Sequence, residues 1–298
     1  MIRVLIGGGS GLIGKRLTSL LRERGYDVAW LSRTATRVNG ITSYLWDPEQ
    51  GKMDVKALEN CVAIINLAGA PIANKAWTSS YRKKIIESRT QSARCILKTL
   101  KENPNQVSVL ISSSAIGFYG DRKEEIMTEE SAMGNGFLAQ STDEWEKAYQ
   151  DTSIRTILFR IGVVLSKNGG ALKEMSSSIP FGICPILGNG KQILSWIHLD
   201  DICLQMIHGI ENENMHGIYN GVSPSPSPQR AFILAIRKHL NKWSIPIPVP
   251  SSILQLLMGE RSSIVLNSSI VSSEKIKKSG YEFKFPTLES ALNNIYGK

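Results

Sequence analysis

Gly7-Gly8-Gly9-Ser10-Gly11-Leu12-Ile13-Gly14, after the apolar run Met1-Ile-Arg-Val-Leu-Ile6, is the stretch whose reading decides the fold. It reads as a dinucleotide-binding turn between a strand and a helix that starts near Leu12. Each of three glycines has its own reason: Gly8 for a tight turn out of the strand, Gly11 so that backbone can approach a pyrophosphate, Gly14 so that the helix packs against the sheet. Only those three places are expected to exclude a Cβ. Past the turn, Ile13, Leu17 and Leu20 share one helical face while Arg16, Arg22 and Glu23 face away. The helix N-terminus then points its free N–H groups at phosphates. Gly8, Ser10, Gly11, Leu12, Ile13 and Gly14 are the candidate cofactor contacts of this turn.

Tyr26-Asp-Val-Ala-Trp-Leu-Ser32 reads as the second strand, and its carboxyl end is where a dinucleotide enzyme selects its ribose. A chain selective for NAD tends to place Asp or Glu there. This chain has Ser32-Arg33-Thr34, with Arg37 a turn further on. A carboxylate would repel a 2′-phosphate, whereas a guanidinium binds it through charge-assisted hydrogen bonds. Ser32 and Arg33 are therefore read as the 2′-phosphate side and NADP(H) as the cofactor; the alternative for Arg33 is an ordinary surface arginine.

Further strands are expected at Thr42–Trp46, at Cys61-Val-Ala-Ile-Ile-Asn66, at Val107–Ser114 and at Ile154–Arg160, alternating with helices near Val55–Asn60, Asn74–Asn103 and Phe137–Gln150. That β/α succession argues for a doubly wound parallel sheet, whose strand ends carry the chemistry. Asn66, Leu67, Ala68 and Gly69 close the fourth strand with small residues that let backbone lie against a cofactor, while Asn66 can equally cap the loop. After Val164 the pattern breaks into Gly- and Pro-rich loops. A polyproline-like connector, Ser223–Pro228, leads to helices at Gln229–Leu240, Ile253–Leu257, Ser273–Ser279 and Leu288–Tyr296.

The chain of 298 residues is long enough to bury a large core. Its net charge of +9 comes from lysines and arginines spread along the sequence, which argues against nucleic acid. No leader and no apolar run of spanning length is recognisable, so a cytoplasmic protein without a membrane partner is expected. Four cysteines, Cys61, Cys95, Cys184 and Cys203, have no metal-ligand spacing and read as buried free thiols; no metal is expected.

With these residues laid out, the chain resembles the extended short-chain dehydrogenase/reductase superfamily, and within it the atypical epimerase family group whose C-terminal lobe is a domain of unknown function. The resemblance rests on six ordered markers: GGGSGLIG at Gly7, NLAGAPI at Asn66, SSSAIGFYGD at Ser112, RIGVVLS at Arg160, SWIHLDD at Ser195 and GYEFKFPTLESAL at Gly280. It implies a Rossmann-type domain over 1–165, to which 193–221 returns, a smaller, mainly helical lobe over 166–192 and 222–298, and a substrate pocket between them. Typical members carry Tyr-x-x-x-Lys on the helix after the serine strand, the tyrosine exchanging a proton and the lysine lowering its pKa. Here that helix reads Phe137-Leu-Ala-Gln-Ser-Thr-Asp-Glu-Trp-Glu146, which puts Leu138 and Thr142 in the two places.

The resemblance leaves Ser114 as the active-site serine, able to polarise a reacting oxygen. Tyr119 either supplies the missing phenol or packs beneath its loop. Ser112 stands as a candidate cofactor contact or as a hydroxyl satisfying backbone at the strand end. Arg160 contacts substrate or nicotinamide, or forms a structural ion pair with an acid such as Asp121. His198 and Asp201 form a pair near the pocket, or His198 caps the next helix. Asp143, Glu144 and Glu146 read as a solvated helix face, as does most of the segment bearing Trp77, Arg82, Lys83 and Arg89, although the latter could lie over the cleft and favour an anionic substrate. The expected function is an NADP(H)-binding oxidoreductase or nucleotide-sugar-epimerase-like enzyme acting on a small molecule; the alternative is an NADP(H)-binding regulator with reduced catalysis. A monomer and a homodimer are both compatible.

Overall fold

The computed structural model describes residues 2–38 and 40–297, with no side chains described for Arg37 and Val38. Its centre is a sheet of seven parallel strands: β1 (Arg3–Gly7), β2 (Asp27–Ser32), β3 (Ile41–Asp47), β4 (Cys61–Asn66), β5 (Val109–Ala115), β6 (Arg155–Ile161) and β7 (Gly217–Gly221). Their spatial order is β7-β6-β5-β4-β1-β2-β3, and the short antiparallel strands Arg37–Val38 and Lys52–Met53 pair with β3. The helices that matter for the site are α1 (Leu12–Glu23), α2 (Ser79–Glu102), α3 (Phe137–Lys147) and α4 (Leu199–Glu211).

Strands buried on both faces are apolar at consecutive positions, and alternation decides which layer each residue joins. Val4, Ile6, Ile65, Ile111 and Phe159 pack with Leu17 and Leu21 of α1 and Ile202 and Met206 of α4. Leu5, Ile64 and Leu110, one residue out of step, pack on the opposite side with Cys95, Ile96 and Leu100 of α2. The cysteines are all buried and free, as their apolar neighbours led one to expect.

Strand order reverses between β1 and β4, so the loops after these two strands share one crevice at the carboxyl edge. The chain leaves β6 through Val163–Leu165, which pairs with Trp196–His198, and re-enters the sheet as β7 beside β6. The remaining lobe packs α5 (Gln229–Leu240) and α7 (Leu288–Tyr296) around Trp196, Phe232 and Leu292. It also holds a parallel strand pair absent from the sequence reading, Ile183–Leu187 with Ile245–Val249. The expected connector ends in a short strand, Ser227–Pro228, that pairs with Ile193–Leu194.

Candidate functional site

The glycine turn is built where β1 meets the helix. Gly8 has φ +79°, and a Cβ there would lie 3.0 Å from the Leu67 carbonyl carbon. A Cβ on Gly14 would lie 2.5 Å from the Gly8 carbonyl oxygen and 2.6 Å from Gly9 Cα, so this glycine sets the helix against the turn. Gly11 differs: only the Gly8 oxygen is near, at 3.2 Å, and the residue is exposed, as is Ser10. Gly9 corrects the expectation that three places alone exclude a Cβ, because one there would enter the Trp30 ring at 2.3 Å. The cause is tertiary: Trp30 projects from β2 over the turn, its Nε1 donating to Thr18 Oγ1 at 2.9 Å.

Gly11 caps α1 without a side chain, and the first turn, with Leu12 and Ile13 half-buried, holds no acid. Its N–H groups and positive dipole end therefore face the crevice uncompensated by protein charge. Arg16 fixes the helix from the other side through a two-pronged bond to Asp200, Nε to Oδ1 at 2.7 Å and a terminal nitrogen to Oδ2 at 2.8 Å. At the end of β2, Ser32 Oγ accepts from the Thr34 amide at 3.3 Å. Arg33 is exposed and makes no ion pair among the described residues; the Arg37 side chain lies outside them.

The loop after β4 is held from below. Asn66 is buried; its Nδ2 donates to Ser92 Oγ at 2.9 Å and to the Tyr149 hydroxyl at 2.8 Å, and its Oδ1 accepts from the Ala68 amide at 3.1 Å. Of its two readings the geometry carries loop capping, since these partners occupy the side chain. Leu67 donates its amide to the Gly7 carbonyl, which ties the loop to the glycine turn. Arg89 supports the next residues, donating to the Ala70 carbonyl at 3.0 Å and lying over the Trp145 ring, while burial pulls its pKa down to about 10. Its guanidinium lies 2.9 Å from where a Gly69 Cβ would stand, so Gly69 makes room for Arg89.

Beneath the crevice lies a buried polar chain that sequence reasoning assembled only in part. Ser114 Oγ donates to Glu146 Oε1 at 2.5 Å. Arg160 grips the same carboxylate with Nε at 2.8 Å and a terminal nitrogen at 2.7 Å. Its remaining donors reach the Tyr119 hydroxyl at 3.1 Å and the Glu129 carbonyl at 3.4 Å, and its carbon centre lies 3.4 Å from the Phe118 ring centroid. Tyr119 in turn donates to Asn220 Oδ1 at 2.7 Å. Burial raises the Tyr119 phenol, and the Arg160 charge only partly counters it.

These contacts redistribute the expected roles. Arg160 pairs with Glu146, not Asp121, whose carboxylate instead accepts from the Ser268 amide. Arg160 is buried and spends four N–H groups on Glu146, Tyr119 and the Glu129 carbonyl, which turns it away from a nicotinamide. Tyr119 is fully buried, so its phenol organises Arg160 rather than facing a substrate. Ser112 is equally enclosed, donating to the Ser113 carbonyl at 3.0 Å. Glu146, expected from the sequence on a solvated helix face, is instead buried, because α3 turns it toward Ser114 and Arg160. Its signal was spacing: Leu138, Thr142 and Glu146 fall four apart on one helical face, and a Gly117 Cβ would stand 3.3 Å from Leu138 Cβ, which places that face inward. The Thr142 hydroxyl turns back to the Leu138 carbonyl at 2.7 Å.

His198 caps α4, its Nδ1 accepting the Asp200 amide at 3.1 Å. Asp201 is no partner for it; the buried carboxylate accepts from the Tyr281 hydroxyl at 2.7 Å and from the amides of Lys284 and Phe285. This anchors the C-terminal segment to the sheet domain. Above the crevice, Trp77, Gly136 and Phe137 face Gln255, Glu260, Ser262 and Leu266 across a cleft of about 310 Å³. Arg82 bridges it by an ion pair with Glu260, and Arg261 donates to the Ala73 carbonyl at 3.1 Å. Lys83 stays on the surface, opposite Glu87.

The family model for the NAD dependent epimerase/dehydratase family matches residues 4–220. The chain belongs to that family. A domain of unknown function, DUF1731, matches residues 249–295, the end of the lobe. Human epimerase family protein SDR39U1 is 31% identical over 300 residues, covering 99% of each chain. Epimerase family protein Mb2239 of Mycobacterium bovis is 32% identical over 294 residues, 97% of this chain and 96% of its own. A crystal structure of the human protein (isoform 2) with NADPH superposes with a TM-score of 0.89 at 29% identity over the whole of both chains.

Proposed function

We propose that this protein binds NADP(H) and acts as an oxidoreductase or epimerase-like enzyme on a small molecule held in the cleft between Phe137 and Leu266. One observation carries the reading: backbone kept bare of side chains at Gly8, Gly11 and Gly14 opens onto a helix end that has neither a capping side chain nor an acid. Such an end attracts a pyrophosphate. Gly8, Ser10, Gly11, Leu12, Ile13 and Gly14 would hold it, Leu67, Ala68 and Gly69 would flank it, and Ser32 with the unpaired Arg33 would receive a 2′-phosphate. NADPH with the human relative supports the same choice. When bound, the nicotinamide supplies or accepts hydride.

The chain's own contribution then centres on Ser114. Its proton is held by Glu146, so the oxygen keeps lone pairs with which it would accept from a substrate hydroxyl. Arg160 holds the Glu146 carboxylate in place through its two hydrogen bonds. Leu138 and Thr142 provide no acid or base where typical members carry tyrosine and lysine, which leaves proton exchange to water or the substrate. That same observation favours a second reading, an NADP(H)-binding regulator without turnover.

The test is a fluorescence titration with NADPH and NADH, repeated on Arg33→Ala. The wild type should prefer NADPH, and the variant should lose about tenfold or more of NADPH affinity, the scale of one charge-assisted contact, with NADH unchanged. Binding of neither dinucleotide would sink both readings. Turnover with a carbonyl or sugar-nucleotide panel that falls in Ser114→Ala separates the enzyme from the regulator.

A further inference from the structure

The C-terminal lobe carries a surface that neither the crevice nor the cleft uses. In the parallel pair Ile183–Leu187 and Ile245–Val249, Ile183 stands beside Ile245, Pro185 beside Ile247 and Leu187 beside Val249. Residues paired in this way share a face, and side chains alternate along each strand. Cys184 and Ile186 point into the lobe core, so the opposite face contains only those six apolar residues. Ile183, Ile245 and Ile247 are exposed on it. Trp243, 76% exposed, extends it, its ring 3.8 Å from where a Gly182 Cβ would stand, and Phe181 beside Gly182 is 84% exposed. Past Pro250 the chain enters α6 (Ser251–Met258), where Ile253, Leu256 and Leu257 form a second exposed stripe, the two leucines at 85% and 73%. Soluble proteins rarely leave so large an apolar surface open without a use for it.

Charge identifies the occupant. From Met175 to Leu199 and from Asn214 to Gly259 the sequence contains no Asp or Glu, whereas Lys191, Arg230, Arg237, Lys238 and Lys242 are all basic. Three of these close α5 or precede Trp243. Lys242 is exposed next to Trp243 just before one strand, and Lys191 is exposed four residues past Leu187 at the end of the other. A second copy docking through the same patch would set one basic rim against another. An anionic surface with an apolar interior suits both features.

We propose that this face of the lobe docks on anionic phospholipid bilayers, with Phe181 and Trp243 entering the headgroup region and the exposed Lys191 and Lys242 meeting lipid phosphates. Trp is at home at that depth, and apolar burial combined with basic charge is what holds a protein at the interface. The sequence expectation of no membrane partner rested on spanning length. Among the described residues no helix is long and apolar enough to cross a membrane, and docking on the surface requires none.

Co-sedimentation of the full chain with vesicles of phosphatidylcholine alone and of phosphatidylcholine mixed with phosphatidylglycerol tests this. Binding is expected to the mixed vesicles, about tenfold weaker or more to phosphatidylcholine alone, and weakened by salt. Phe181→Ser with Trp243→Ser should reduce it about tenfold or more, and Lys191→Glu with Lys242→Glu should abolish the preference for anionic lipid, both with the wild-type melting temperature. No sedimentation with either vesicle, or equal binding by the variants, would overturn the proposal. So would a lipid-free dimer in sedimentation velocity that the serine variant dissociates, since the face would then belong to a second copy.

Discussion

At the scale of single residues, Glu146 decides how the interior beneath the crevice works. A guanidinium buried as Arg160 is needs its carboxylate, because a lone buried charge costs far more than an exposed one. Glu146→Gln keeps the shape and removes the charge. It is expected to lower unfolding free energy by about 3 kcal/mol in urea titration, the cost of breaking a buried pair from one side. Ser114→Ala, which removes one hydrogen bond to the same carboxylate, should cost about 1–2 kcal/mol. Equal, small losses in both would mean that Arg160 finds water or another partner. The pairing also explains why neither Tyr119 nor Arg160 reaches a ligand: strand register sets Arg160 beside Ser114, and α3 lays Glu146 across them.

At the scale of elements, α1 is held between two demands. Its first turn must stay open for an anion, so its anchorage comes from Arg16 one turn on, gripping Asp200 at the start of α4. The hydrogen bond from Arg16 holds the Asp200 carboxyl below its ordinary 3.8, with burial opposing. A carboxyl with a depressed folded pKa stabilises fully above its unfolded pKa and stops doing so as pH falls through the folded one. Urea midpoints of wild type and Arg16→Met should therefore differ at pH 6 and converge as the pH drops below about 4. A gap independent of pH would place the effect in packing instead. Asp201, the next residue, does a different task by gathering the Tyr281, Lys284 and Phe285 donors, so α4 joins the glycine turn to the C-terminal segment through two adjacent carboxylates.

At the scale of the whole molecule, the cofactor crevice lies between loops of the sheet domain while the cleft above it takes one wall from each lobe. A ligand that binds only the folded chain stabilises it by mass action, about 2.7 kcal/mol at a hundred times its Kd. With NADPH at that excess, the melting temperature should rise by about 4 °C or more, and by much less with NADH at the same concentration. No shift with NADPH would contradict the crevice reading at a stroke. The ion pair of Arg82 with Glu260 and the bond from Arg261 to the Ala73 carbonyl tie the two walls of the cleft to each other.

Local pattern by itself determined the glycine turn, the alternation that splits the strands between two layers, the helix spans at Gln229–Leu240 and Leu288–Tyr296, and Arg33 at the end of β2. These depend on spacing within one or two turns of chain, and periodicity records them. Tertiary structure alone decided that Gly9 is barred to a Cβ by Trp30, that Asn66 is spent on its loop, that Glu146 holds both Ser114 and Arg160, and that residues near 183 and 245 pair into an apolar face. Each joins positions far apart in sequence whose meeting depends on strand order and helix docking. A hydroxyl, a carboxylate or a guanidinium looks the same in sequence whether it faces a ligand or a buried partner; what distinguishes the two is the neighbour that the fold brings to it.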